Sequence, residues 1–261
     1  ALHFTSAFIL VIGGGAQLHT LGNLLGFGEM DLGWFAIPFS VACVVYIQNA
    51  INMMDGVDGL AGGNSFLVFA GLLFAALYAG QGEVASQLMV LMGCLAGFLI
   101  HNMRSPILKR ARIFLGVAGC MSLGLMIAWY AITLSQGTGS QGAGAALHPV
   151  SVAWLIALPI VDSFGLLVAR LKDGQPAFSP DRRHFHHHFA AAGFTPGQST
   201  MFILAYVFIL GGIGLFAVMA GVPDAILGWA WIAIWVGHAI LTIKSERFIR
   251  LLVLLRSRFC P

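Results

Sequence analysis

Residues 199–220 read STMFILAYVFILGGIGLFAVMA, without one charged side chain. A helix needs about 20 mainly apolar residues to cross a bilayer, where every backbone N–H and C=O must be bonded inside the segment. Outward from that run, further stretches have the same character: about 3–18, 34–50, 64–80, 84–101, 117–134, 151–169 and 227–243. The first is the weakest, because Gly13, Gly14 and Gly15 interrupt it. Composition agrees. Of 261 residues, 59% are apolar and 9% charged, whereas a soluble domain carries about 25% charged residues. A net charge of +3 is too small for a surface that tracks nucleic-acid phosphates, so no nucleic acid is expected as a partner. The expected fold is all-α: a polytopic transmembrane helical bundle of about eight spans, forming a single domain over residues 1–261 in a lipid bilayer.

The basic residues orient the bundle. Arg104, Lys109, Arg110 and Arg112 share one loop, and Arg170, Lys172, Arg182 and Arg183 border or fill another. Lys244, Arg247, Arg250, Arg256 and Arg258 lie in the tail. Alternation of eight spans puts all of them on one side, which the positive-inside rule assigns to the cytoplasm, together with both ends of the chain. Glu29, Asp31, Glu83 and Asp224 fall on the opposite face, and Trp34, Tyr78, Trp154 and Trp229 are expected as interfacial aromatics at outer helix ends. Cys43, Cys94, Cys120 and Cys260 show no ligand spacing and read as small apolar helix residues. The chain opens on Ala1 with no basic n-region and no cleavage site, so an N-terminally truncated chain is expected and not a signal peptide.

Three polar segments, 48–63, 102–116 and 170–198, share the cytoplasmic face. In the first, Gln48, Asn49, Asn52, Asp55 and Asp58 gather at a helix mouth. A calcium loop is excluded, because Met53 and Met54 stand where oxygens are wanted and no bidentate Glu follows. A plain polar turn is the alternative to a site. Amides that donate and carboxylates that accept can read the edge of a base or a sugar. The second segment leads into Phe114–Cys120, a Gly-rich helix entry whose N–H groups could meet an anion, while its basic run reads as a topology anchor. The third contains Ser179-Pro180-Asp181-Arg182-Arg183-His184-Phe185-His186-His187-His188. Imidazoles suit a transition metal, but interleaved arginines repel cations and favour phosphate oxygens. Asp162, an acid inside the sixth run, is a functional candidate by position. His101, His148 and His238 stand alone and read as packed or interfacial.

Together, Asn49-x-x-Asn52-x-x-Asp55-Gly56-x-Asp58-Gly59-Leu60, Phe114-x-Gly116-x-Ala118-Gly119 and Ser179-Pro180-Asp181-Arg182-x-His184-x-His186-His187 resemble the polyprenyl-phosphate N-acetylhexosamine-1-phosphate transferases. These are relatives of phospho-N-acetylmuramoyl-pentapeptide transferase. The Pro-Asp-Arg-x-His form and the Gly193-Phe194-Thr195 continuation look closer to the bacterial undecaprenyl-phosphate GlcNAc-1-phosphate branch. That resemblance implies transfer of a sugar 1-phosphate from a UDP-sugar donor to a polyprenyl phosphate acceptor, with release of UMP. It also implies Mg²⁺ (Mn²⁺ as the alternative), a multi-pass bacterial plasma-membrane protein with its active face cytoplasmic, and a role in cell-envelope polysaccharide such as O-antigen. A second copy of the chain is a candidate partner. By the same resemblance Asp55, Asp58, His186 and His187 are the catalytic candidates, with Asn49, Asn52, Asp181, Arg182, His184 and Asp162 binding substrate. Asn52, Asp55 and Asp58 would hold the uridine end, and the histidines with Arg182 the diphosphate.

Two departures stand out. The family's adjacent Asp-Asp pair has no counterpart here, and the acid expected in Phe-x-Gly-Asp-Ala-Gly-Ser is Val117, with Cys120 replacing the serine. Valine offers no oxygen to a metal, so weak or absent turnover is expected. A non-catalytic membrane paralogue that binds nucleotide sugar or lipid phosphate is the rival. A transporter is disfavoured, because the runs lack two similar halves and the polar groups avoid the midplane.

Overall fold

A computed structural model describes residues 2–137, 144–176 and 183–259. Every element among them is helical apart from one isolated bridge, Thr20 to Asp31. The helices are α1 (Leu2–Phe8), α2 (Ala36–Met54), α3 (Leu60–Tyr78), α4 (Gly82–Asn102), α5 (Gly116–Gln136), α6 (Pro149–Leu155), α7 (Ala157–Lys172), α8 (Phe185–Ala191), α9 (Pro196–Met219), α10 (Asp224–Ile243) and α11 (Ser245–Phe259).

Among the described residues six helices, counting the short turn Gly33–Phe35 with α2, are long and apolar enough to span: α2, α3, α4, α5, α9 and α10. The pair α6 and α7 makes a seventh if counted as one broken span, bent by 75°. Among the described residues six or seven helices thus meet the length of a span where about eight runs are expected, for two local reasons. Run 3–18 folds only over Leu2–Gly13, with α1 passing into a π-helical turn at Ile9–Gly13. Gly15 then takes φ +67, a left-handed conformation that ends the helix. In the sixth run Pro159 has no N–H for the Leu155 carbonyl and its ring crowds that position, so the helix breaks at Ile156.

Packing follows small residues. α2 lies on α5, where a Cβ on Gly124 would stand 2.6 Å from the Gln48 Cα. In lipid, helices associate through such close backbone approach, because apolar surface alone gives no preference for protein over acyl chains. α3 packs on α4 and α9, and α7 on α10.

At the end of the bundle away from segment 48–63, residues 14–35 cross as a strap. The Gln136 carboxamide accepts from the His19 and Thr20 amides at 2.9 and 3.1 Å and donates to the Thr20 carbonyl at 3.1 Å. Trp34, Tyr78 and Trp229 are exposed there. Trp154 departs from the interfacial expectation: it is buried, and its indole N–H donates to the Leu227 carbonyl at 3.2 Å. The break after α6 turns it into the bundle. His148 is not solitary either, since its Nδ1 lies 2.9 Å from Asp224. At the other end, Ser6 meets the Gln48 side chain and α11 packs on α8.

Candidate active site

The three polar segments converge on the turn between α2 and α3. α2 stops at Met54, and Gly59 takes φ +80 to start α3. The Gly59 amide donates to the buried Asn102 side chain at 2.8 Å, and Asn102 donates in turn to the Ile113 carbonyl at 2.9 Å. One amide at the end of α4 thus ties the turn to the second segment.

Asp58 is a brace. Its carboxylate accepts from Arg104 Nε at 2.7 Å and from the Ala111 amide at 3.4 Å, while its backbone carbonyl accepts from Thr200 Oγ1 at 2.8 Å. Arg104, read above as a topology anchor, is therefore part of the site. Asp55 accepts from the Cys120 thiol at 3.3 Å, which brings the helix entry of α5 onto the turn. Burial pushes the Asp55 carboxyl above its ordinary range, outweighing hydrogen bonds from Cys120 and the Gly116 backbone; the neighbouring Asp58 charge adds to the rise. Asn49 donates back to the Val45 carbonyl at 2.7 Å, and Asn52 is half-buried at the end of α2. Gln48 does not join them, since it is buried against Ser6 of α1.

The histidine arm closes over this turn. Asp162, deep in α7, accepts from His184 Nδ1 at 2.9 Å and from the Phe185 amide at 2.9 Å, with His238 Nε2 at 3.6 Å. Asp162 thus anchors the arm from within the bundle. The His184 and His186 rings lie parallel with centroids 5.8 Å apart, and His187, which is exposed, sits 4.2 Å from His186. His186 rests on Gly56 so closely that any Cβ there would collide with its Nε2. Burial foremost, and then the charge of His187, lower the His186 pKa to about 4, so this ring is neutral near pH 7. Burial also lowers His188, whose Nδ1 lies 3.2 Å from the His184 carbonyl. Arg183 pairs with Asp173 at 2.6 Å. Asp181 and Arg182 lie outside the described residues.

Beside Arg104 a cavity of about 630 Å³ opens between the start of α9 and residues 103–109. Arg104 and Lys109 give it positive charge, and Met103, Leu108, Met201 and Leu204 give it an apolar wall. Arg104, Asn102 and Thr200 escaped the sequence reading: each is a single polar residue at a helix end, and only contacts far apart in the chain reveal its role. A divalent cation fits this donor set poorly. Among the described residues no three His, Cys, Asp or Glu side chains converge on one point. Asp58 faces an arginine, and Val117 is 61% exposed with no oxygen to offer.

Residues 1–135 match the family described as Glycosyl transferase family 4. The chain is 32% identical over 209 residues to undecaprenyl-phosphate alpha-N-acetylglucosaminyl 1-phosphate transferase of Escherichia coli K12, covering 80% of this chain and 55% of that protein. It is 32% identical to the protein of the same name from Yersinia pestis, over 77% of this chain and 53% of the other. A probable undecaprenyl-phosphate N-acetylglucosaminyl 1-phosphate transferase of Bacillus subtilis is 30% identical, over 72% and 50%. The chain spans about half the length of these relatives.

Proposed function

The chain belongs to glycosyl transferase family 4, and from that membership we propose that it binds a UDP-N-acetylhexosamine, most simply UDP-GlcNAc, for transfer of the sugar 1-phosphate to undecaprenyl phosphate. In that reaction an acceptor phosphate oxygen forms a bond to the β-phosphorus of the donor, the bond from that phosphorus to the bridging oxygen breaks, and UMP leaves with the electron pair. Such chemistry rests on positioning and on neutralising spread charge.

The observation that carries the reading is the convergence of three distant segments on residues 55–59. Asn49, Asn52 and Asp55 offer amide and carboxyl groups to the uridine end. The neutral His186 and exposed His187 stand where they can donate to diphosphate oxygens, and Arg182 belongs to the same motif. The cavity beside Arg104 and Lys109 suits a phosphate that carries an apolar chain. With the positive-inside rule, this end faces the cytoplasm of the bacterial inner membrane, and the product feeds cell-envelope polysaccharide. A second copy of the chain is proposed as its oligomeric partner.

Mg²⁺, or Mn²⁺ in its place, is the metal proposed for an intact site of this kind, where it would neutralise phosphate charge. The donor set of this chain fits it poorly. Val117 favours a second reading, a paralogue that binds donor or lipid phosphate without efficient turnover. The test pairs binding of UDP-GlcNAc with UMP release in membranes supplied with undecaprenyl phosphate. Binding with slow or absent release is expected. Absence of binding would remove the substrate assignment altogether.

A further inference from the structure

α11 begins one residue after α10 ends, with Lys244 between them. Its inner face is occupied. Phe248 and Leu252 are buried, the Phe248 ring stacks on Phe185 at 5.6 Å, and it lies 5.2 Å from His188. The outer face is of a different kind. Arg247, Arg250, Leu251, Leu254 and Arg258 follow i, i+3, i+4, i+7, i+11 and so share one side of the helix. All are exposed, Leu251 by 57% and Leu254 by 63%.

We infer that α11 lies along the membrane surface at the end of α10, with Leu251 and Leu254 below the headgroups and Arg247, Arg250 and Arg258 on the phosphates of anionic phospholipids. Three observations select this occupant. α11 starts where a candidate span ends, so it leaves the bilayer at headgroup depth. Its arginines forbid it to cross, yet their long stems let the charges reach outward while neighbouring leucines sink. The outer face carries three arginines, with the exposed Glu246 at its edge beside Arg250, so its net charge is positive: a second copy presenting the same face would be repelled, whereas an anionic leaflet complements it. The proposal is independent of the reaction proposed above. Its consequence for the site is positional, since the inner face of α11 carries α8 and with it the histidine arm.

The test uses the full chain in nanodiscs of phosphatidylcholine alone or mixed with phosphatidylglycerol. A phosphatidylglycerol bearing a diazirine high in its acyl chain is photolysed, and labelled residues are mapped by mass spectrometry. Label at Leu251 and Leu254 is expected, with Phe208 of α9, exposed in a candidate span, as the internal reference. Each arginine near an anionic surface is worth about a five-fold preference, so Arg247→Gln/Arg250→Gln/Arg258→Gln should lower the α11 label several-fold and leave Phe208 unchanged. The proposal is overturned if α11 takes no label above background, if the triple variant labels like the parent, or if copies cross-link through this face.

Discussion

The turn at 55–59 and the helix entry at 116–120 touch through Asp55 and Cys120, yet they are built differently. At the turn, Asp58 is held from three directions, Gly59 is bonded by Asn102, and Gly56 leaves room for the His186 ring. At the helix entry a thiol replaces a hydroxyl and an exposed valine occupies the position of the expected acid. The built turn, to which donor binding is assigned in the proposed function, is therefore separable from the acid expected at position 117. The first is present without the second.

The largest loss is expected at the anchor of the histidine arm. Asp162→Ala leaves His184 and the Phe185 amide unpaired in a buried place, a change that costs about 3 kcal/mol. A lower Tm in detergent and loss of UDP-GlcNAc binding are expected together, and an unchanged Tm would show that the arm is held by other contacts. Gly56→Ala is narrower. Gly56 lies on an exposed turn and its new methyl displaces the His186 ring, so donor affinity should fall about tenfold with little change in Tm. Arg104→Gln is milder still: the pair with Asp58 is part-exposed and worth under about 1 kcal/mol to stability. Its expected mark is weaker donor binding with more salt tolerance, read by titration at two ionic strengths.

Much of this site was legible in the sequence because its residues lie in short, dense segments: Asn49 to Gly59 and His184 to His188 each hold several polar groups within a few positions. What joins them was not. Asn102, Arg104 and Thr200 are single residues whose partners lie 43, 46 and 142 positions away, and spacing along a chain carries no information about such pairs. The spans were legible from hydropathy alone, except where one residue overrules it: Gly15 and Pro159 each stop a helix that composition would continue. Trp154 reads as interfacial from its place near a run's end, and the break at Ile156 buries it.

A pH titration sharpens the contrast without any substitution. His186 has a folded pKa lowered to about 4, below the about 6.5 of an unfolded histidine, so the unfolded state binds its proton first. Its stabilising contribution is complete above pH 6.5 and is lost as pH falls toward 4. A fall in Tm over that window, smaller in His186→Gln, is the expected outcome.

The most direct test sets the parent beside Val117→Asp, measuring UDP-GlcNAc binding and UMP release in the same membranes with Mg²⁺ and undecaprenyl phosphate. The account predicts equal donor binding in both proteins and a rise in UMP release confined to the variant. Equal and brisk release by both, or loss of donor binding in the parent, would contradict it.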